Sequence, residues 1–196
     1  MAGAKRKDAD FFMENFFIDP VLHHGAPEDM SGRLPKEQAT YVLLEKLGID
    51  FHRVDHDAAQ TIEQCQPVDE LLGTKMCKNL FLCNRQKTQF YLLLMPGEKP
   101  FHTKDLSAQI QSARLSFAGA EELEACLNLT PGSVTVLGLQ FDTEQKVRLL
   151  IDRDLLKEEF LGCHPCINTS SLRIRTADVL EKFLPAVDHT VTYVTL

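Results

Sequence analysis

Residues 75–84 read KMCKNLFLCN, and they contain the step from polar to apolar sequence on which the fold depends. Lys78 and Asn79 stand directly before the apolar run Leu80-Phe81-Leu82. A polar stretch, NRQKT, separates this run from a second apolar run, QFYLLLM. Two apolar runs of strand length around a short polar turn predict a β-hairpin. The pattern therefore places a positive charge at the entrance to a strand that is otherwise suited to the core.

Helical and strand patterns alternate irregularly on both sides of this hairpin. Helices are predicted at PKEQATYVLLEK, from Thr61 to about Gly73, from a cap at Thr103, at AEELEACL, and at TADVLEKFL, which Pro185 is expected to end. Further strands are predicted at IDFHRVDH, RLSF, SVTVLGL, KVRLLID and TVTYVTL. Hairpins mixed with helices favour an α+β or mixed-sheet domain over a strict βαβ winding.

The length and composition indicate a folded protein of ordinary domain size. The chain has 196 residues, of which 44% are hydrophobic, and no apolar run approaches the roughly 18 residues of a membrane helix. The first residues show no signal-peptide pattern, so the six cysteines are expected to be reduced thiols in a cytoplasmic protein. Residues 1–33 are predicted to form an N-terminal extension, and residues 34–196 the main domain.

The net charge of −7 argues at first against a nucleic-acid partner, but the charge is unevenly distributed. Residues 75–114 contain seven basic and only two acidic residues, a local excess of five positive charges. Such a face suits contact with a few phosphates, whereas the alternative is an ordinary solvated surface.

The most conspicuous short motif is Cys163-His-Pro-Cys166. A C-x-x-C pair can be a redox dithiol, half of a metal site, or incidental. The helix that a thioredoxin-like site requires is not predicted after this pair, and the other four cysteines form no second close pair. No metal site and no cofactor are therefore predicted.

Two further positions are compatible with a binding site. A His-Pro pair forces an extended or turn conformation, which can hold the His164 ring rigidly, although a loop histidine is more often structural or solvated. The Pro131-Gly132 pair allows a close backbone approach to a ligand, and a tight turn is the alternative. The local patterns alone do not decide between these possibilities.

Four segments occurring in order carry a family resemblance: CKNLFL at 77–82, RLSFAGAEELEACLNLTPGSVT at 114–135, GCHPCIN at 162–168 and TADVLEKFL at 176–184. Together they resemble the YbaK/ProX family of aminoacyl-tRNA deacylases, which are related to the editing insertion domain of bacterial prolyl-tRNA synthetase. The pattern is most similar to the branch that removes alanine mischarged onto proline tRNA. The resemblance implies a single α+β domain with a mixed, largely antiparallel, curled sheet flanked by helices.

The resemblance also implies roles for particular residues. Lys78 corresponds to the essential lysine, and the substrate would be bound by Asn79, Gly132, Ser133, His164 and Asn168. Phe81, on the strand of Lys78, is a further candidate for substrate binding as a pocket wall, with ordinary core packing as the alternative. The implied reaction is hydrolysis of the ester of Ala-tRNA(Pro), and the implied partners are aminoacylated proline tRNA and, as a further possibility, prolyl-tRNA synthetase. Cys77, Cys166 and Leu172 depart from the residues usual in this family, so serine or cysteine remains an alternative to alanine.

Two functions from other classes remain as alternatives. A catalytically silent tRNA- or synthetase-binding module of the same fold would keep the basic face without needing Lys78 for chemistry. A thiol oxidoreductase would use Cys163 and Cys166.

Overall fold

A computed structural model describes residues 16–58 and 62–196 of the chain. The helices are α1 (Pro35–Lys46), α2 (Ile62–Leu72), α3 (Thr103–Gln109), α4 (Ala120–Leu127) and α5, which runs through Thr176–Asp178, the π-helical Val179–Phe183 and Leu184–Ala186. The strands are β1 (His23–His24), β2 (Phe51–Asp55), β3 (Lys78–Asn84), β4 (Phe90–Met95), β5 (Leu115–Phe117), β6 (Val147–Asp152), β7 (Phe160–Cys163), β8 (Ser170–Arg175) and β9 (Val191–Val194). Two 3-10 helices cover Val136–Phe141 and Arg153–Lys157.

The strands form two sheets, and the predicted α+β class with mixed pairing is confirmed. The four-stranded sheet has the order β1-β2-β8-β7 and is antiparallel throughout. The five-stranded sheet has the order β5-β3-β4-β6-β9, with β3–β4 and β3–β5 antiparallel and β4–β6 and β6–β9 parallel. The predicted hairpin is therefore β3–β4, at the centre of the mixed sheet.

The two sheets meet where the chain approaches β3. Met76 forms an isolated parallel bridge with Gly162, and the Cys77 N–H donates to the Gly162 carbonyl at 2.9 Å. Glycine is required here because a Cβ built on Gly162 would lie 2.6 Å from the Lys75 carbonyl oxygen. On Gly97 a Cβ would lie 2.6 Å from the Met76 carbonyl oxygen. Residues 75–76 are thus enclosed between two glycines, which sets the position of the strand that follows.

Alternation along the central strands divides the five-stranded sheet between two apolar clusters, because successive side chains of a strand point to opposite faces. Phe81, Leu92 and Leu94 face the larger core, which α1 and α4 also enter. Leu82 and Leu93 face a smaller cluster that is covered by α3. Among the helices described, none is long and apolar enough to cross a membrane.

Three local predictions need correction. SVTVLGL is not a strand; Val136–Phe141 forms a 3-10 helix, and the Thr135 hydroxyl accepts a hydrogen bond from the Leu137 N–H at its start. Its first residues are fully buried, and a short buried apolar run does not distinguish a strand from a helix.

The predicted limits of two helices also need correction. Thr103 is the first residue of α3, whereas its N-cap is His102. Pro185 does not end α5, which continues to Ala186. The cap predicted at Thr61 lies outside the described residues.

The described part of the predicted extension is attached to the four-stranded sheet. β1 pairs with β2, and the Asp19 N–H donates to the Asp55 carbonyl at 2.9 Å. Arg33 donates from Nη1 to Glu37 and from Nη2 to Asp55, at 2.7 Å and 2.6 Å. Burial alone would raise the pKa of Asp55, but hydrogen bonds from Arg33 and Arg53 hold it at about 2. The division at residue 33 stays a prediction.

Candidate active site

Lys78 lies at the first residue of β3, half-buried, where the sequence placed it. Its Nζ donates to the Lys99 carbonyl at 2.7 Å. The Lys99 side chain is itself held by Asp152 and Asp154, at 2.7 Å and 2.6 Å, so the loop that presents this carbonyl is anchored. Within the described residues, no carboxylate pairs with Lys78. A half-buried ammonium group whose charge has no counterion is suited to binding an anion or a developing negative charge.

Asn79 follows on the same strand and carries an unused acceptor. Its Nδ2 donates to the Cys77 carbonyl at 3.1 Å, whereas its Oδ1 is buried and has no hydrogen-bond partner in the described structure. Unpaired buried acceptors are uncommon and mark places where a ligand or water supplies the missing donor. Because Lys78 and Asn79 project from opposite faces of β3, a ligand touching both must lie across the beginning of that strand.

The surrounding basic residues are more neutralised than the local charge count indicates. Lys75 pairs with Glu98 at 2.7 Å, Lys87 with Glu122, and Lys99 with Asp152 and Asp154. Those acidic partners of Lys87 and Lys99 lie outside residues 75–114, where the sequence count did not include them. The basic residues that remain exposed without a described carboxylate partner are Arg85, Lys104 and Arg114. The predicted positive face is therefore reduced to a few scattered charges.

Gly132 and Asn168, separated in sequence, are brought close together. Gly132 has a φ of +90°, and a Cβ at this position would lie 3.2 Å from the Asn168 Nδ2. Glycine is therefore favoured at this position by the left-handed backbone conformation and by the short distance to the Asn168 amide. Asn168 also lines a surface pocket of about 370 Å³, whose lining includes Thr130, Ile167, Arg33 and Lys36.

His164 is fixed by the chain immediately after it. Its Nδ1 donates to the Ser170 carbonyl at 2.9 Å, and Ser171 Oγ lies 3.4 Å from the same nitrogen. Burial lowers the pKa of His164 to about 4, with the Ser170 hydrogen bond opposing this shift and the nearby His56 adding to it. The ring is therefore neutral at pH 7, which makes it a hydrogen-bond acceptor rather than a cation.

This lowered pKa predicts a particular pH dependence of stability. A histidine has a pKa of about 6.5 when unfolded, so the unfolded state binds more protons between pH 6.5 and 4. The free energy of unfolding should therefore fall as the pH falls through this window, with His164 contributing at most about 3 kcal/mol. Denaturant unfolding at several pH values should show a shallower decline for His164→Gln. His102→Gln, which alters an exposed histidine, should leave the wild-type slope unchanged; an equal slope in both variants would contradict the prediction.

Ser133 and Phe81 each make contacts within the protein. Ser133 is buried, and its Oγ donates to the Thr130 carbonyl at 2.9 Å, which closes the turn that contains Gly132. Phe81 is buried in the larger core, where its ring stacks on Phe90 with centroids 5.7 Å apart. Direct contact of either side chain with a substrate stays a prediction.

The cysteine pair lacks the environment of a reactive dithiol. Both thiols are free and buried, and burial raises the pKa of Cys163 and Cys166, the latter to about 12. Cys166 Sγ accepts from the Thr40 hydroxyl at 3.3 Å. A redox thiol requires a depressed pKa and access to a reaction partner. Leu172, which like Cys166 departs from the residue usual in the family, is also fully buried.

Sequence reasoning missed His56 and Ser171, which lie beside His164. His56 follows β2, Ser171 lies on β8, and the His56 Nε2 is 2.9 Å from Ser171 Oγ although the two residues are 115 positions apart. No local pattern marks either residue: His56 is the last residue of the predicted strand IDFHRVDH, and Ser171 lies on β8, which was not predicted from the sequence. The Cys77–Gly162 hydrogen bond joins the Lys78 strand to the segment that carries His164.

The chain is similar to known proteins of one family. The aminoacyl-tRNA editing domain family matches residues 56–182. The chain is 30% identical over 154 residues to prolyl-tRNA editing protein ProX of Acetoanaerobium sticklandii, covering 79% of this chain and 93% of that protein. It is also 30% identical over 167 residues to prolyl-tRNA synthetase associated domain-containing protein 1 of Danio rerio, covering 84% and 86%.

A solved structure described as a candidate trans-editing enzyme for prolyl tRNA synthetase has the same fold. It superposes with a TM-score of 0.61 at 15% identity, covering 83% of this chain and 98% of that one. The family match spans more than half of the chain and includes Lys78, Gly132, His164 and Asn168. The chain therefore belongs to the aminoacyl-tRNA editing domain family.

Proposed function

We propose that this protein is a trans-editing aminoacyl-tRNA deacylase that removes alanine from Ala-tRNA(Pro). The observation that carries the proposal is the half-buried Lys78, whose ammonium group has no described carboxylate partner and which is followed on the same strand by Asn79 with its unpaired Oδ1. One cation and one free acceptor at the start of a strand suit a substrate end that presents both negative oxygens and N–H or O–H donors. The family and its ProX relative give the chemical class of that substrate.

The reaction needs positioning and charge stabilisation more than a strong nucleophile. An aminoacyl ester is already activated, so a water can attack its carbonyl, aided by the neighbouring ribose hydroxyl. The Lys78 ammonium group would stabilise the terminal phosphate or the developing oxyanion. It would either break its hydrogen bond to the Lys99 carbonyl or bind both groups at once. Backbone N–H groups around Gly132 would add further donors, and Asn168 would hold that loop in place.

Selectivity against Pro-tRNA(Pro) would be steric. A pocket cannot bind the smaller alanine side chain much more tightly than proline, because one methylene group is worth about 1–3 kcal/mol. It can exclude the larger ring. Phe81 and Leu172, both buried in the larger core, would form part of the wall, and their close packing would leave little room for rearrangement. Alanine is therefore the substrate that we propose, with serine and cysteine as the alternatives to test.

The partner would be the acceptor end of proline tRNA in the cytoplasm, with prolyl-tRNA synthetase as a second candidate partner. Since Lys75, Lys87 and Lys99 are paired internally, binding of the tRNA body would depend on few charges. We expect weak, salt-sensitive affinity.

The test is single-turnover deacylation of Ala-tRNA(Pro) and Pro-tRNA(Pro) by the purified protein. Rapid loss of alanine with proline retained supports the proposal. If Ala-tRNA(Pro) stays intact while Ser-tRNA or Cys-tRNA is hydrolysed, the alanine specificity is wrong and the deacylase activity stands. If none of these is hydrolysed, the protein is a silent binding module of the same fold.

A further inference from the structure

Three polar side chains, the buried His56 and Ser171 and the half-buried His164, form a hydrogen-bonded chain at the candidate site. The His56 Nδ1 lies 2.7 Å from the Asp57 carbonyl, and the His56 Nε2 lies 2.9 Å from Ser171 Oγ. The His164 Nδ1 lies 2.9 Å from the Ser170 carbonyl and 3.4 Å from Ser171 Oγ. β8 carries the serine and lies between β2 and β7, which is why two histidines from distant parts of the chain meet at it.

The two carbonyl groups define where the ring protons are. A carbonyl oxygen can only accept, so each histidine Nδ1 that contacts one must carry its hydrogen. In a neutral ring the other nitrogen is then bare. The His56 Nε2 therefore accepts the hydrogen of the Ser171 hydroxyl, and the His164 Nε2 is an unprotonated acceptor. Burial lowers the pKa of both histidines, in agreement with neutral rings.

His56 bears on which way the Ser171 hydroxyl points. If His56 did not accept its hydrogen, the hydroxyl could turn that hydrogen toward the His164 Nδ1, 3.4 Å away, and compete there with the Ser170 carbonyl at 2.9 Å. Where the hydroxyl prevailed, the His164 ring proton would move to Nε2, and this nitrogen would become a donor. Within the described residues, the His164 Nε2 has no hydrogen-bond partner, so it is the atom of this ring left for a ligand.

We propose that His56 is a positioning residue: by accepting the Ser171 hydroxyl hydrogen, it keeps His164 in the Nδ1–H tautomer, with Nε2 as a neutral acceptor for an N–H or O–H donor at the aminoacyl end of the substrate. The part that concerns the substrate rests on the proposed function. The part that concerns the tautomer does not, and it can be measured separately.

The experiment combines ¹⁵N NMR of the histidine rings with single-turnover deacylation. In the wild type, the ring of His164 should be protonated at Nδ1. His56→Phe, which fills the volume but accepts nothing, should shift His164 toward the Nε2–H tautomer. It should also slow deacylation about tenfold, the effect of one misdirected hydrogen bond. His56→Gln offers an amide oxygen to Ser171 and should preserve both the tautomer and the rate.

The double variant His56→Phe/Ser171→Ala is the most discriminating one. It removes the competing hydroxyl, so the Nδ1–H tautomer and most of the deacylation rate should return. If His56 had a purely structural role, the double variant should instead be less active than His56→Phe. His52→Gln, a change on β2, four residues before His56 and paired with Arg173 rather than Ser171, is the matched control and should behave as wild type.

Each outcome decides one question. An unchanged His164 tautomer in His56→Phe, or no recovery in the double variant, overturns the inference. If the tautomer shifts but the deacylation rate does not change, His56 still positions His164, and the proposed role of Nε2 toward the substrate is wrong. If wild type hydrolyses no aminoacyl-tRNA, the proposed function fails, and the NMR result still decides whether His56 positions His164.

Discussion

Replacing Lys78 with alanine is expected to reduce single-turnover deacylation of Ala-tRNA(Pro) by a factor of about 100 or more. Removal of one preorganised group that stabilises a developing oxyanion has an effect of this size. In this protein the effect is concentrated on Lys78 because Lys75, Lys87 and Lys99 are engaged in ion pairs. Lys78→Arg should keep part of the activity, since it retains the charge and changes the geometry of the donors.

The control for this prediction is Lys104→Ala, which removes an exposed lysine from α3 and should change the rate less than twofold. Because the Lys78 Nζ also donates to the Lys99 carbonyl, the unfolding midpoint of Lys78→Ala should be measured as well. Loss of one hydrogen bond should lower the free energy of unfolding by about 1 kcal/mol, which leaves the protein folded. A rate within twofold of wild type in a folded Lys78→Ala protein would remove Lys78 from the mechanism.

Gly162→Ala is expected to have the largest effect on stability. The added Cβ would lie 2.6 Å from the Lys75 carbonyl oxygen and 2.9 Å from the Met76 Cα, and both are backbone atoms that no side-chain rotation can clear. Separating the two sheets at this junction should lower the free energy of unfolding by about 3 kcal/mol. For a chain of this size, that corresponds to a fall in Tm of roughly 6–12 °C.

The deacylation rate of this variant should also fall, even under conditions where the variant is folded. The strand bearing Lys78 follows directly from the displaced residues 75–76, and the Cys77–Gly162 hydrogen bond would be broken or lengthened. Gly32→Ala is the control: it has a φ of +81° and nothing within 4 Å of the added methyl group, so only backbone strain of about 1 kcal/mol is expected. An unfolding midpoint for Gly162→Ala as high as that of Gly32→Ala would contradict the prediction.

Residues 75–95 show why the sequence is informative about the hairpin. β3 extends two residues beyond residues 80–82 at each end, and β4 begins and ends within one residue of the run QFYLLLM, because a polar turn between two such runs has few other solutions. The same applies to Pro35–Lys46 and Ala120–Leu127, where helical periodicity and flanking glycines act together. Local chemistry is sufficient in these segments, since the choice of conformation is made among near neighbours.

Val136–Phe141 shows where that information ends. The run SVTVLGL is apolar and β-branched, which is equally compatible with a buried strand, yet it forms a 3-10 helix that brings Gly138 against Leu129. The positive face predicted for residues 75–114 was overestimated for a related reason. Glu122, Asp152 and Asp154 neutralise two of its lysines, and their positions depend on how the elements pack.

The amino-acid sequence by itself determined the class of fold, the hairpin, the lysine at its entrance and the ordered motifs that carry Gly132, His164 and Asn168. Only the tertiary structure decided that Gly132 lies next to Asn168, that Lys78 has no described carboxylate partner, and that His56 reaches His164 through Ser171. The physical reason is that periodicity and turn chemistry act over a few residues. The protonation and orientation of a buried side chain depend instead on atoms that sheet pairing brings from more than a hundred residues away.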